Sequence, residues 1–418
     1  MHSSQRSHRQ RLRSQFQIAA AALAVALLAG VVLIVRNVIG SDSPAGSGGG
    51  APTPPPASSH SSQAVKTAGQ EGSPLSPSWQ GSGKSVTFAF GGDVHFEGPL
   101  AVRLADDPQT ALEPDIGALM RGADISMTNF ESSLISGACT DPQPKEFVFH
   151  APPSALTAFK AAHVTLVTEA NNHGEDCGRP GLAQSLAIAK AAHYPIVGIG
   201  ENAAQAFTPY RTVVHGQRIA IFGATEVLDT NLITSWTATA SQAGLASAYQ
   251  EGELVSAVQA ARKGSDTVIV FLHWGTETQQ CPNSVQVPLA KALVKAGADI
   301  VVGSHAHVEL GAGYMGSALV DYGLGNLAFY DTAAPEIYSG ALHVTITGRH
   351  VDTFSWRPAQ ISGGLPVPLT GSAATAAVQR WTGLRGCTGL AADRGTSLST
   401  KQSETRPFAG PSVSPLAG

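Results

Sequence analysis

Seven apolar runs rich in β-branched residues, spread over residues 85–326, constrain this chain more than any other feature. They are SVTFAFGGDV (85–94), DISMTNFE (124–131), HVTLVTEANNH (163–173), RIAIFGAT (218–225), TVIVFLHWG (267–275), DIVVGSHAH (299–307) and SALVDYGLGN (317–326). Stretches with helical signals lie between several of them: residues 153–162, 180–193, 253–264 and 284–297. The last two close on Gly264 and Gly297, a common helix stop. Strands alternating with helices specify an α/β domain with a largely parallel or mixed sheet. Two further β-like runs around Gly348-Arg349, within residues 341–361, read as a late hairpin.

The same runs end on chemistry. Sites in open α/β sheets form beyond the carboxyl ends of the strands. Five of those ends carry carboxylates, imidazoles or carboxamides: Asp93-Val94-His95, Asn129-Phe130-Glu131, Asn171-Asn172-His173 with Asp176, His273 with Glu277, and His305-Ala306-His307. These are ligand types for Zn²⁺, Mn²⁺ or Fe. In an extended chain residues i and i+2 share a side, so Asp93 with His95, and His305 with His307, can face one site. Gly91, Gly92 and Gly303 are expected to let the backbone turn there. The remaining histidines of the domain (His150, His163, His193, His215, His343, His350) read as hydrogen-bonded surface residues. Asn171 and Asn172 also read as turn residues.

Charge narrows the partners. The chain has 418 residues and a formal net charge of −4. Its first 84 residues hold seven Lys/Arg and two Asp/Glu, which leaves 19 basic and 28 acidic residues, net −9, in the rest. Such a body has no basic surplus for a phosphate backbone, so no nucleic-acid partner is expected.

The first residues have a different character. A basic tail (1–17) precedes IAAAALAVALLAGVVLIV, residues 18–35, which carries no charge. At ~1.5 Å per residue that run spans about 27 Å as a helix, close to a bilayer core. It is expected to be a single transmembrane anchor (18–40) with a cytoplasmic N-terminus, which places the following domain outside the cell membrane. A cleaved signal peptide is the competing reading. Residues 41–84, rich in Ser, Gly and Pro, are expected to form a disordered linker, and residues 403–418 a disordered tail. The folded domain is placed at 85–402. In an extracytoplasmic domain the four cysteines suggest disulfides. Three pairings are open, and Cys139–Cys177 with Cys281–Cys387 is preferred because the first pair joins two neighbouring loops.

The order of strand ends resembles the calcineurin-like metallophosphoesterases, and more closely the CapA family of capsule and poly-γ-glutamate biosynthesis proteins. The matching pieces are GGDVHFEG, TNFESSL, EANNHGEDCGRPGL, VFLHWGTE, AGADIVVGSHAHVE and YGLGNLAFY, covering about residues 88–330. The resemblance implies two packed sheets flanked by helices. It also implies two divalent metal ions (Mn, Zn or Fe), one held by Asp93, His95 and His307 and the other by Asn172, His273 and His305, with Glu131 bridging. His173 is then a general acid or oxyanion stabiliser, Asp176 and Glu277 orient ligands or face substrate, and Asn326 lines the rim. The implied role is a metal-dependent hydrolase or transferase acting with capsule synthesis machinery on an anionic envelope polymer such as poly-γ-glutamate. A non-catalytic polymer-binding module and a metallophosphoesterase of other substrate are the alternatives.

Overall fold

A computed structural model describes residues 80–394. The expected anchor, most of the linker and the 403–418 tail lie outside the described residues. Among the described residues no helix is long and apolar enough to cross a membrane.

Strands form where the apolar runs alternate between two buried faces. The first main sheet contains β1 (Val86–Val94), β2 (Ile125–Phe130), β3 (Leu166–Thr168) and β4 (Ile196–Val197). The second contains β5 (Tyr210–Val214), β6 (Gln217–Thr225), β7 (Thr267–Trp274), β8 (Ile300–His305), β9 (Ala312–Met315) and β10 (Ala318–Asp321). The chain then returns to the first sheet as β11 (Asn326–Ala328), β12 (Tyr338–Thr347), β13 (His350–Ser362) and β14 (Leu365–Pro368). The first sheet runs β14-β13-β12-β1-β2-β3-β4, with β11 also on β1, and the second runs β9-β10-β8-β7-β6-β5. β1, β2, β3 and β4 are parallel to one another, as are β6, β7, β8 and β10. The expected hairpin is the antiparallel β12–β13 pair.

The two sheets pack face to face. Phe88, Phe90 and Met127 of one meet Ile221, Ile269, Phe271 and Val302 of the other in a shared core. The intervening residues point the opposite way, as the period of two requires. Ala89, Phe130 and Val167 face α1 (Pro99–Asp106), α2 (Asp115–Met120) and α3 (Ser154–Ala161) through Leu104, Ile116 and Phe159. After α4 (Gly178–Ala191), α5 (Glu251–Arg262) and α6 (Gln286–Ala296) cover the outer face of the second sheet, where Val258 and Leu293 meet Val270 and Leu272. In α7 (Gly371–Leu384), Trp381 stacks on Trp356 of β13 with ring centroids 5.3 Å apart. The cysteines pair as preferred, Cys139–Cys177 and Cys281–Cys387.

Several buried carboxyls make this fold pH-sensitive. Glu169, just past β3, accepts hydrogen bonds from Ser185 Oγ (2.6 Å) and the Leu134 N–H (3.2 Å) through Oε1, while Oε2 has no partner. Burial pushes its carboxyl up to about 8, and likewise Glu175 to about 8 and Asp321 to about 7. The folded state therefore holds protons that the unfolded chain has released, and stability falls as pH rises toward those values. His95, held down to about 3 by burial, acts in the opposite direction, but only below its unfolded value near 6.5. Between about pH 6.5 and 8 the carboxyls dominate, each contributing up to about 1.4 kcal/mol per pH unit. The thermal midpoint is expected to fall across that window, and to fall less steeply in Glu169→Gln. Parallel slopes for the two proteins would contradict the assignment.

Candidate metal centre

Parallel pairing places the five chemical strand ends on one edge. Asp93 is in register with Asn129 of β2 and with Asn326 of β11. On the second sheet His273 is in register with Ser304, and Trp274 with His305. The carboxyl ends of both sheets thus open onto the same place. Asp93, His95, Glu131, His273 and His305 are buried, and Asn172 and His307 are partly exposed.

The glycines act differently from expectation. Gly91, Gly92 and Gly303 have no positive φ. They are required by close approach: a Cβ on Gly92 would lie 1.7 Å from the Gly325 carbonyl oxygen, and one on Gly303 2.0 Å from Trp274 Nε1. The turn is made by the histidines themselves, with φ of 94° at His305 and 56° at His307. Left-handed backbone is costly for residues with a Cβ and concentrates at functional sites. His305 and His307 share a side because of that geometry and not because the chain is extended, and their rings are 5.9 Å apart.

Three side chains expected to share an ion face one another. His273 Nε2 lies 2.7 Å from Asn172 Oδ1 and 3.1 Å from His305 Nδ1. On the other side, His307 Nδ1 is 3.5 Å from Asp93 Oδ2 and 2.8 Å from Asn326 Oδ1. Asp93 is fixed at both oxygens, accepting from Asn129 Nδ2 (2.8 Å) and from the His305 N–H (3.0 Å). His95 lies flat on Phe329, ring centroids 3.8 Å apart, and neither of its nitrogens has a hydrogen-bond partner.

Glu131 sits at the centre. Its Oε1 is buried and has no hydrogen-bond partner. Three imidazole nitrogens surround that oxygen: Nε2 of His173 and His273 at 3.9 Å and Nε2 of His307 at 4.0 Å. Those separations are about twice a metal–ligand bond of ~2.0–2.1 Å. Potential ligand atoms of Glu131, His305 and His307, and of Asp93, Glu131 and His273, lie within 4.8 Å of one another, with Glu131 common to both groups.

The electrostatics favour a cation. Burial, then the neighbouring Asp93, push the Glu131 carboxyl well above the usual range. Burial holds His273 and His305 well below theirs, which favours the neutral imidazole at both. Metal binding needs neutral histidines, and a bound cation offsets the repulsion between Asp93 and Glu131. The donor set therefore fits divalent metal.

Around this centre, His173 Nδ1 lies 2.6 Å from Asp176 Oδ2, and its ring stacks on Phe149 at 4.1 Å. Glu277 is exposed and lines the mouth of a cleft of about 210 Å³ together with Phe149, His173, His307, Tyr330 and Glu336. Asn326 orients His307 and bonds Asp331 Oδ2 at 2.9 Å. Asn171 is no simple turn residue: its Nδ2 donates to Asn129 Oδ1 (2.9 Å) and to the Phe130 carbonyl (2.8 Å), tying two strand ends together. Asn129, read at a strand end but not as a ligand, and Lys145 and Ser304, read in no role, also reach the site. Asn129 carries the same i, i+2 signal as the other strand ends. Lys145 carries none, because it lies in a polar loop far from its contacts in sequence.

The fold and this edge define an α/β protein with a convergent cluster of metal-ligand side chains. The model of the bacterial capsule synthesis protein family PGA_cap matches residues 87–331, and the chain belongs to that family. It is 30% identical over 260 residues to the capsule biosynthesis protein CapA of Bacillus anthracis, covering 61% of this chain and 62% of that one. It is 27% identical over 252 residues to the PGA biosynthesis protein CapA of Bacillus subtilis, covering 60% and 65%. A probable polyglutamine synthesis accessory protein of Mycobacterium tuberculosis is 26% identical over 215 residues, covering 49% and 55%. The matches span less than two thirds of each relative's length. Among solved structures, a putative 5'-nucleotidase from Staphylococcus aureus is similar at 15% identity over 71% of this chain and 58% of that one, with a TM-score of 0.42.

Proposed function

We propose that this chain holds a pair of divalent ions at the shared strand-end edge and acts through them in the synthesis, export or processing of an envelope polymer of poly-γ-glutamate type. The family and the names of its relatives support the polymer class. The observation that carries the site is the buried, unpartnered Glu131 Oε1 ringed by three imidazole nitrogens. Asp93, His95 and His307 would hold one ion, Asn172, His273 and His305 the other, and Glu131 would bridge. Metal ions supply Lewis acidity toward a carbonyl or phosphoryl oxygen. The chain's own residues do the rest. Asp176 holds His173 Nδ1, leaving Nε2, 3.9 Å from Glu131 Oε1, as a proton carrier. Phe149, Phe329 and Tyr330 wall the cleft and restrict water.

A single-pass anchor at 18–40 with the domain outside the cell membrane completes the proposal. The charge-free run and the two disulfides support it, since disulfides persist in oxidising compartments. The test measures metal content, then turnover of p-nitrophenyl phosphate esters and of poly-γ-glutamate. Metal-dependent turnover of either substrate is expected. Metal binding with polymer retention but no turnover would replace the enzyme reading with a binding module.

A further inference from the structure

Lys145 has an unusual setting for a loop lysine. Its side chain is only 5% exposed. The ammonium lies 2.9 Å from Asp176 Oδ1 and 3.5 Å from Asp229 Oδ2, and it donates to the Asn172 backbone carbonyl. It also sits 5.2 Å over the Trp236 ring and 3.3 Å from His173 Nδ1. The loop that carries it is stapled beside Asp176 by the Cys139–Cys177 disulfide and by a 2.9 Å bond from the Gln143 N–H to the Asp176 carbonyl. Lys145 does not line the cleft, so it reaches no substrate there.

We propose that Lys145 is a positioning residue of the metal centre, acting through Asp176 on His173 and through the Asn172 carbonyl on the Asn172 carboxamide. The assignment rests on the metal-site reading above. Asp176 is fully buried, and a buried carboxylate needs a cation and hydrogen-bond donors to stay in place. Oδ2 takes the Phe149 N–H and His173 Nδ1, both at 2.6 Å, which leaves Oδ1 for Lys145. Asp176 is hydrogen-bonded through Oδ2 and paired by charge to Lys145 through Oδ1, which has no hydrogen-bond partner, and this pairing keeps the His173 ring in place with Nε2 3.9 Å from Glu131 Oε1. The bond to the Asn172 carbonyl fixes the backbone of Asn172 itself, and with it the Oδ1 that lies 2.7 Å from His273 Nε2. One ammonium therefore sets both a candidate ligand and its neighbouring acid–base group. Partners that orient ligands in this way typically account for 10–100-fold in metal affinity or activity.

The test uses the full-length protein labelled with ¹⁵N-histidine and freed of metal. The His173 Nδ1–H resonance, shielded from exchange by its bond to Asp176, is expected in wild type and in Asp229→Asn, where Lys145 keeps Asp176. It is expected to be lost in Lys145→Met. Lys145→Gln, which retains a neutral donor and is the gentler change, is expected to lose it too. A wild-type resonance in Lys145→Gln would overturn the proposal, whether or not the Met variant folds. In a second arm, Mn²⁺ affinity of Lys145→Gln is expected to fall about 10–100-fold. Wild type that binds no Mn²⁺ would overturn the metal reading itself, and the ring resonance would then still decide the role of Lys145.

Discussion

Glu131→Gln is expected to weaken metal binding by at least about 100-fold, more than the outer partners of a metal site account for, while leaving the metal-free protein as stable as wild type or more so. The two effects have one cause. Glu131 is fully buried, and its Oε1 has no hydrogen-bond partner. Without metal, burial and the nearby Asp93 penalise its negative charge. An isosteric amide removes that penalty, since an unpaired buried charge is costly. In the proposed two-ion site the same anion would serve both ions; it is common to the Glu131, His305, His307 and the Asp93, Glu131, His273 clusters, which group the histidines differently from the proposed ligand sets. The amide would supply no negative charge to the proposed ion pair, so metal affinity is expected to fall. Thermal unfolding with and without Mn²⁺ reads both effects. Ligand at 100 times its dissociation constant stabilises by about 2.7 kcal/mol, so wild type should shift upward and the variant should not. Equal metal-induced shifts would remove Glu131 from the centre.

His173→Gln is expected to separate chemistry from binding. Its Nδ1 is engaged by Asp176 at 2.6 Å, its face rests on Phe149, and its Nε2 points toward Glu131 at 3.9 Å. It lines the cleft and stands beside the ligand candidate Asn172. A positioned acid or base typically contributes 10²–10⁴-fold, so turnover should fall by about that factor while metal content is unchanged. Loss of one ion in the variant would instead make His173 a ligand. Unchanged turnover would remove it from the mechanism.

The parts of this fold that were legible in the sequence are those set by local periodicity. The runs at 85–94, 218–225, 267–275 and 299–307 alternate between two buried faces and became β1, β6, β7 and β8. The run at 317–326 reads as one strand and forms parts of two. Ala318–Asp321 joins the second sheet and Asn326–Ala328 the first, a crossing that leaves no mark in hydropathy. The run at 163–173 yields only Leu166–Thr168, because its polar end turns to bring Asn171 against Asn129. α7, rich in Ala and with only Ala377 and Trp381 buried, has too faint an apolar stripe to read.

The candidate site was legible for a related reason. Strand ends in parallel sheets converge, so residue types at those ends point to the cluster where Asp93, Glu131, Asn172, His273, His305 and His307 meet, whereas His95 packs on Phe329 with both nitrogens unpartnered. What holds them was less legible. The Asn129–Asn171 bridge and the Lys145–Asp176 pair join residues that are 42 and 31 positions apart, through loops whose paths no period dictates. The positive φ at His305 and His307 is likewise a product of tertiary packing, where Gly303 passes Trp274.

The proposed function makes the five strand ends one dinuclear metal centre bridged by Glu131. Titration of Mn²⁺ into the metal-free full-length protein, followed by calorimetry and by the magnetic coupling of the bound ions, tests it most directly. About two ions per chain, spin-coupled as ions ~3.5–4 Å apart are, are expected. Binding of a single uncoupled ion, or of none, would contradict it.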